Sequence, residues 1–376
     1  MDLFDYYLEG SSYVITGIKN KSVTSIVVPD CVKKIESGAF SGCSSLESIT
    51  LPFVGCDVHV GDDHIEYGFG YIFGSSKYSG GKLISQRKYI NGSQETISGW
   101  ITKPNGTKEH ITETVPHYYY IPNNLRNVVV TGGSIPSGAF YDCSSLTSIT
   151  LGNSVTSIGS SAFYNCSSLT SITIPNSVKC IGYSAFNGCS SLVSITLPFV
   201  GDKAHTSTDK YQYPFGYIFG TSSYTGGTAT TQYYYRSSTS STTNTTYYIP
   251  TSLREVIITG SSYIQYGAFY NCSMLTSVEI LGSVTSIGSS AFYNCSNLIS
   301  IVIPNSVTSI GNYTFDSCSN LTSVYYKGEQ IKWQAISIDS NNTYLTDAER
   351  YYYSENSPTE SGNYWHYDNK NNIVEW

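Results

Sequence analysis

Charged side chains are scarce in this sequence. Asp, Glu, Lys and Arg make up 12% of its 376 residues, about half the share that is usual in soluble domains. The 27 acidic residues outnumber the 20 basic ones, and no cluster of Lys and Arg stands out. Because nucleic-acid binding depends on basic side chains that neutralise phosphates, we expect no nucleic-acid partner.

Long apolar runs are missing as well. No stretch of apolar residues is long enough to cross a bilayer, so we expect no membrane span in this chain. The start, MDLFDYYLEGSSYVITG, lacks the basic and apolar segments of a signal peptide. Two alternatives follow: a cytoplasmic protein, or a mature or shortened form of an exported chain.

Motifs that are typical of catalytic or metal-binding sites are also absent from the sequence. It contains no Gly-x-Ser-x-Gly elbow, no phosphate-binding loop, no Cys-x2-Cys and no His-x3-His. Paired acids for glycoside hydrolysis are not excluded by sequence, but none recurs at a core-facing position. The one cluster with metal-like chemistry is His59, Asp62, Asp63 and His64, with Asp57 nearby. We interpret it as a solvated loop and predict no enzymatic activity, no cofactor and no metal.

What the sequence does contain is a repeat with a period of 23 residues. Its anchors are a Phe, usually after Ala, a Cys three residues later and a Leu six residues later. A fixed period of this length is typical of a solenoid, in which each turn buries its apolar face only against its neighbours. The predicted core ladder consists of Phe140, Phe163, Phe186, Phe269, Phe292, Phe315, Cys143, Cys166, Cys189, Cys272, Cys295, Cys318, Leu146, Leu169, Leu192, Leu275, Leu298 and Leu321.

One short strand is predicted for each turn, in the segment Leu-x-x-Ile-x-Ile. The last two apolar letters alternate with a polar one, as expected for a half-buried strand. Counting these segments gives about ten turns, which begin at Val23, Leu46, Leu125, Leu146, Leu169, Leu192, Leu253, Leu275, Leu298 and Leu321. The polar letters between them are expected to face outward, including Ser300 with Val302 and Ser323 with Tyr325.

The motif PNSVTSIGxxAFxxCSSLTSITIP resembles the BspA-like leucine-rich repeat family, the 23-residue class of bacterial and protist surface proteins. The resemblance covers about residues 23–326, and six copies share every anchor. It implies a right-handed leucine-rich repeat solenoid, mostly β, and roles in adhesion or host contact. The family has no catalytic motif to transfer.

Two long insertions interrupt the predicted solenoid, at about residues 52–122 and 198–250. Each follows the first residue of a Leu-Pro-Phe-Val-Gly motif, which starts at Leu51 or Leu197, and then contains Phe-Gly-Tyr-Ile-Phe-Gly. We expect Ile-Phe to take the place of Ala-Phe in a missing turn, and the divergent middles, 82–117 and 228–246, to form hairpins or loops. These middles either bind a ligand or only cover the join. Residues 1–22 are predicted as the N-terminal cap, 23–326 as the solenoid and 327–376 as the C-terminal cap.

Cysteine and tyrosine are the remaining notable residue types. The seven cysteines at the repeat position are interpreted as buried thiols that fill the core, with Cys31, Cys56 and Cys180 outside the pattern. The sequence has 35 tyrosines, and tyrosine with Ser and Gly is the mixture that antibody loops use. The predicted ligand-binding residues are Tyr141, Tyr164, Tyr270, Tyr293, Tyr71 and Tyr217, although packing between turns would explain the same row.

The sequence favours a non-enzymatic protein-binding or adhesion solenoid, located outside the cell or at its surface. The expected partner is a protein, such as a host or matrix protein. A cytoplasmic interaction scaffold is one alternative. A carbohydrate-binding module, with Trp365 or Tyr217 stacking on sugar rings, is the other.

Overall fold

The computed structural model describes residues 1–57, 65–87, 89–90, 93–94, 96–102, 108–209, 211–236, 241–359 and 361–376. These residues divide into two compact units. The N-terminal unit comprises Met1–Leu169 with Cys180–Cys189, and the C-terminal unit comprises Thr170–Lys179 with Ser190–Trp376.

The N-terminal unit is built from short strands, which form two small sheets of the solenoid and three further small sheets in the first insertion. Its strands are β1 (Phe4–Glu9), β2 (Ser12–Ile18), β3 (Ser25–Val27), β4 (Val32–Ile35), β5 (Ser48–Leu51), β6 (Ile65–Glu66), β7 (Gly81–Arg87), β8 (Tyr89–Ile90), β9 (Ser93–Gln94), β10 (Thr96–Thr102), β11 (Lys108–Thr114), β12 (Pro116–Pro122), β13 (Asn127–Ile135) and β14 (Ser148–Ile158). Strands β14, β13, β5 and β3 pair in parallel in that order, and β1, β2 and β4 form a second sheet.

The C-terminal unit repeats this architecture over more turns. Its strands are β15 (Ser171–Thr173), β16 (Ser194–Leu197), β17 (Gly227–Tyr235), β18 (Thr242–Pro250), β19 (Glu255–Ile258), β20 (Tyr263–Ile264), β21 (Ser277–Ile280), β22 (Ser286–Ile287), β23 (Ser300–Ile303), β24 (Ser309–Ile310), β25 (Ser323–Tyr326), β26 (Ser337–Ile338), β27 (Glu349–Tyr353), β28 (Tyr364–Tyr367) and β29 (Ile373–Glu375). Two short helices, α1 (Gln330–Gln334) and α2 (Thr343–Asp347), lie between β25 and β27.

Parallel pairing in the C-terminal unit follows the sequence repeat letter by letter. The main sheet runs β15-β16-β19-β21-β23-β25-β27-β28-β29, and a second sheet runs β20-β22-β24-β26. Ser277, Ser300 and Ser323 are aligned in register across three consecutive turns. The equivalent letters of each copy therefore occupy one column.

Backbone hydrogen bonds and stacked rings hold the core column together. The amide of Phe140 donates to the carbonyl of Ala162 at 2.7 Å, and that of Phe269 donates to Ala291 at 2.6 Å. The rings of Phe140 and Phe163 stack at 5.5 Å, and those of Phe269 and Phe292 stack at 5.1 Å. One copy thus supplies both the backbone and the apolar support of the next.

Turn geometry explains why polar residues recur around each Phe. The residue two places after Phe has a left-handed backbone, with φ of 59° at Asn165 and 54° at Asn294. Asn tolerates this conformation better than most residues with a side chain. Its amide also bonds to the preceding turn, from Asn294 to the Asn271 oxygen at 2.9 Å. The polar residues near each Phe are therefore determined partly by the backbone conformation of the turn and not only by exposure to solvent.

The leucine-rich repeat solenoid predicted from the sequence is confirmed, with about 13 turns over the described residues in place of ten. Part of the difference lies in the segment predicted as a cap. Strands β27 and β28 continue the main sheet in parallel, with Tyr325 opposite Tyr351 and Tyr352 opposite Tyr364. These strands are rich in tyrosine and lack the Leu-x-x-Ile-x-Ile pattern, so the motif count missed them.

Candidate functional site

Each insertion enters the solenoid through a short 3₁₀ helix and leaves through an antiparallel hairpin. The helices are Phe69–Phe73 and Phe215–Ile218. The hairpins pair β7 with β12 in the N-terminal unit and β17 with β18 in the C-terminal unit. The described parts of the two insertions therefore share a 3₁₀ helix and an antiparallel strand pair, and the first insertion also contains the pair β10-β11 and the sheet β6-β8-β9.

The 3₁₀ helix replaces the Ala-Phe step with Ile72 and Phe73, as expected from the sequence, and Phe69 contributes to the same step. The Phe40 amide donates to the Ile72 carbonyl at 2.9 Å, so Ile72 takes the place of Ala. The amide that continues the ladder belongs to Phe69, which donates to Ala139 at 2.7 Å. The Phe73 ring lies between the rings of Phe40 and Phe69, at 6.2 and 5.3 Å. Phe69 and Phe73 together thus take the place of the single phenylalanine of a plain turn.

A buried glutamine ties each hairpin to the neighbouring turn. In the C-terminal unit, Gln232 accepts a hydrogen bond from the Gly216 amide at 2.6 Å and donates to the Tyr270 carbonyl at 3.1 Å. In the N-terminal unit, Gln86 accepts from the Gly70 amide at 2.7 Å and donates to the Tyr141 carbonyl at 3.1 Å. Both glutamines are 0% exposed.

These glutamines were not predicted from the sequence, because they lie in the divergent middles of the insertions. The available signal was their position, because each follows the second glycine of a Gly-Gly pair by five residues, Gly81 to Gln86 and Gly227 to Gln232. A buried amide needs several partners, so such a residue is a structural tie.

Five tyrosines form a surface cluster in the C-terminal unit. Strand β17 supplies Tyr233 and Tyr235, which lie on one face because side chains alternate along a strand. Tyr233 lies 5.0 Å from Tyr270, which stacks on Tyr293 at 4.6 Å. Tyr235 stacks on Tyr266 at 4.5 Å. We call Tyr233, Tyr235, Tyr266, Tyr270 and Tyr293 the tyrosine cluster.

The hairpin is seated closely against this cluster. Gly267 has φ of 62°, and a Cβ atom there would overlap the Tyr233 carbonyl oxygen. The Asn271 amide donates to the Thr231 carbonyl at 2.8 Å. Glycine at position 267 and the bond from Asn271 together fix the strand that carries the exposed rings.

The phenols of Tyr266 and Tyr270 stay neutral over the physiological range. Burial, together with the neighbouring Tyr293, raises the pKa of Tyr270 to about 12. Burial also raises the pKa of Tyr266 above its ordinary value. Partly exposed neutral tyrosines offer apolar ring area and a hydroxyl that both donates and accepts. The cluster suits contact with a mixed polar and apolar protein surface.

The other predicted tyrosines lie apart from this cluster. In the N-terminal unit Tyr141 stacks on Tyr164 at 4.5 Å, and Tyr71 packs on Tyr67 at 4.4 Å. In the C-terminal unit Tyr217 packs on Tyr213 at 4.5 Å. All four of the predicted residues named here are half-buried. The structure therefore brings Tyr270 and Tyr293 together with hairpin residues that the sequence did not single out.

The predicted core residues line the interior of the two units. Phe140, Phe163, Phe186, Phe269, Phe292, Phe315, Cys143, Cys166, Cys189, Cys272, Cys295, Cys318, Leu146, Leu169, Leu192, Leu275 and Leu298 are 0% exposed, and Leu321 is 6% exposed. Their cysteines do more than fill space. The Cys166 thiol donates to the Phe140 carbonyl at 3.3 Å, and the Cys295 thiol donates to Phe269 at 3.2 Å.

The C-terminal segment covers part of the sheet that the sequence placed in solvent. Val302 is 1% exposed and Tyr325 is 9% exposed, because Trp365 and its neighbours pack over them. The expectation that these two positions face outward was wrong. Trp365 is 0% exposed, so it has no free ring face for a sugar, and its Nε1 donates to the Tyr326 carbonyl at 3.1 Å.

The remaining candidate chemistry forms no site among the residues that the structure describes. His59, Asp62, Asp63 and His64 lie outside the described residues. Among the residues that are described, no group of three His, Cys, Asp or Glu could hold a metal ion. All ten cysteines are thiols; Cys31 and Cys180 are exposed, and Cys56 is buried. Within the same part of the chain, no helix is long and apolar enough to span a bilayer.

Comparison with known proteins identifies the repeat. A family model described as BspA type leucine rich repeat region matches in six copies, over residues 18–54, 113–211 and 240–356. No curated protein matches the sequence.

Solved structures of repeat proteins are also similar to this chain. A leucine rich cell surface protein of Faecalibacterium prausnitzii is 20% identical, with 90% of this chain and 97% of that chain covered and a TM-score of 0.27. A leucine rich repeat protein of T. pallidum is 17% identical, with 89% and 92% covered and a TM-score of 0.25. One from Bacteroides ovatus is 16% identical, with 94% and 98% covered and a TM-score of 0.24.

Proposed function

The chain belongs to the BspA type leucine rich repeat family, and on that premise we propose that it is a non-enzymatic protein-binding solenoid that acts at the cell surface or outside the cell. The repeat supplies a rigid framework, and the inserted hairpin adds a feature that the plain turns lack. Rigid scaffolds that present loops or hairpins commonly bind through those additions.

The tyrosine cluster is the observation that carries the proposal. Its rings are held by stacking and by the close packing of the β17–β18 hairpin on Gly267 and Asn271. Little conformational entropy is therefore lost when the rings contact a partner. Tyrosine is enriched among the residues that dominate binding energy at protein interfaces. Tyr233 is 37% exposed, which leaves ring area available at the edge of the cluster.

Binding of immobilised extracellular-matrix proteins, measured on a biosensor, tests the proposal. The Tyr233→Ala/Tyr293→Ala variant is expected to weaken the interaction by about 30-fold or more, the loss typical of hot-spot residues. Tyr313→Ala/Tyr344→Ala is the matched control, because these tyrosines are 46% and 39% exposed and lie outside the cluster. Equal affinity of the two variants would remove the cluster from the binding surface.

An intracellular interaction scaffold is the second candidate. It is favoured by the ten thiols, since secreted proteins commonly use cysteines in disulfides and reducing compartments keep them as thiols. Labelling of intact cells with an impermeant maleimide separates the candidates through exposed Cys31. Labelling without cell lysis supports a surface location, and labelling only after lysis supports the scaffold.

A further inference from the structure

A groove lined by both aromatic and amide side chains lies in the last turns of the C-terminal unit, away from the tyrosine cluster. One wall is helix α1 with the residue before it, and the other wall comes from β27 and β28. The lining residues are Glu329, Gln330, Ile331, Gln334, Tyr352, Tyr353 and Tyr364.

The helix wall carries hydrogen-bonding groups that the protein leaves unused. Gln330 and Gln334 are four residues apart in α1 and therefore lie on the same face. Glu329 directly precedes the helix. All three side chains are exposed, and none has a hydrogen-bond partner among the described residues. Each amide offers two donors and one acceptor, and the carboxylate offers two acceptors.

The strand wall is aromatic and held in place. Tyr352 and Tyr364 are paired across β27 and β28, so their side chains are neighbours on one face of the sheet. Tyr353 follows Tyr352 in β27, so its side chain points to the other face of the sheet, where its ring packs on the edge of the buried Trp365 ring at 5.2 Å. Tyr352 and Tyr364 are half-buried, which leaves part of each ring on the groove. The sequence could not predict this pairing of amides with aromatic rings, because α1 and the tyrosines are separated in the chain.

Aromatic rings opposite planar amides and a carboxylate are the chemistry that recognises a neutral sugar. The C–H face of a pyranose packs on an aromatic ring, while amide and carboxylate groups bond to adjacent hydroxyls that each donate and accept. No Lys or Arg lines the groove, and Glu329 would repel a phosphate or an acidic sugar. A quaternary ammonium would use the rings and Glu329 but would leave both amides without a partner.

We propose that this groove binds a neutral saccharide, with Gln330, Gln334 and Glu329 bonding to its hydroxyls and Tyr352 and Tyr364 contacting its apolar face. Trp365, the residue to which the sequence assigned sugar stacking, packs with Tyr353 on the other face of the sheet and does not line the groove. The inference does not depend on protein binding by the tyrosine cluster, because the two surfaces share no residue.

The test is an array of neutral oligosaccharides built from glucose, galactose, mannose and their N-acetylated forms, followed by titration of the best ligand against the full chain. The Gln330→Leu/Gln334→Leu variant is expected to lose at least tenfold in affinity. Tyr344→Ala is expected to bind as the parent does. Thermal unfolding of each variant checks that it is folded, and both glutamines are exposed, so the fold should tolerate their replacement.

A second pair of variants keeps the test informative if one of them is unstable. Tyr364→Ala should lose binding, whereas Tyr364→Phe keeps the ring and should retain most of it. A blank array, equal affinity of the glutamine variant and the parent, or binding of choline in place of any sugar would each overturn the proposal.

Discussion

The Nε2 atom of Gln232 lies 3.3 Å from the Sγ atom of Cys272. In plain turns the cysteine thiol donates to a phenylalanine carbonyl of the preceding copy, as Cys318 does to Phe292 at 3.1 Å. An insertion removes that copy, and the glutamine amide takes over the contact with sulfur. Gln86 does the same for Cys143 at 3.5 Å.

Replacement of Gln232 by leucine should destabilise the C-terminal unit. The change leaves the Gly216 amide and the Tyr270 carbonyl without their partner, and each orphaned buried group costs about 1–3 kcal/mol. Urea denaturation measures the free energy of unfolding. Gln330→Leu is the matched control, since this exposed glutamine should change stability by no more than about 0.5 kcal/mol. Equal stability of the two variants would contradict the role assigned to Gln232.

Alanine at position 267 should displace the second hairpin. Gly267 and Gly10 both have φ of 62°, so Ala at either position has the same backbone cost. A Cβ atom at 267 overlaps the Tyr233 carbonyl, whereas nothing lies within 4 Å of one at position 10. Gly267→Ala is expected to lose about 1–3 kcal/mol more than Gly10→Ala, as overpacking does. Similar melting temperatures for the two variants would show that the hairpin is not seated as described.

The stability of the protein should fall steeply above pH 9. Burial raises the pKa of the Cys189 and Cys318 thiols from 9.0 to about 12, so they stay protonated in the folded chain. In the unfolded chain they ionise above pH 9, and the unfolded state then binds fewer protons than the native state. Stability from these groups is complete below pH 9 and is lost toward pH 12, by about 1.4 kcal/mol per pH unit for each thiol.

Urea denaturation in the presence of a reductant, at pH values from 7 to 11, measures this loss. Cys189→Ala lowers the free energy of unfolding at pH 7 because it leaves a small cavity. Its free energy of unfolding should then fall less steeply with pH, because one of the two thiols is missing. A stability that does not change between pH 8 and 11 would contradict the expectation.

Trp365 should contribute far more to stability than Trp376. Trp365 is 0% exposed and packs on Tyr325 at 5.5 Å, whereas Trp376 is 48% exposed and stacks on His366. Trp365→Ala is expected to cost about 3–5 kcal/mol, as is typical for a buried aromatic ring. Trp376→Ala should cost clearly less. A dye that binds exposed apolar surface should also report Val302 and Tyr325 only in the Trp365 variant.

The sequence by itself determined the repeat, its period, the family resemblance and the identity of the core columns. This was possible because a residue in a solenoid meets mainly its own counterpart in the next copy, so one motif states both partners of each contact. The extent of the C-terminal cap, set at residues 327–376, is still a prediction.

Only the tertiary structure decided which surfaces are available. Gln232 and Tyr233 gained their partners from turns about forty residues away in sequence, and Trp365 covered Val302 across several strands. Such contacts join segments that are not copies of each other, so periodicity carries no information about them. The tyrosine cluster is assembled by packing of an inserted hairpin on repeating turns, and the amide-lined groove by packing of two segments that lack the repeat motif, α1 and the strands β27 and β28.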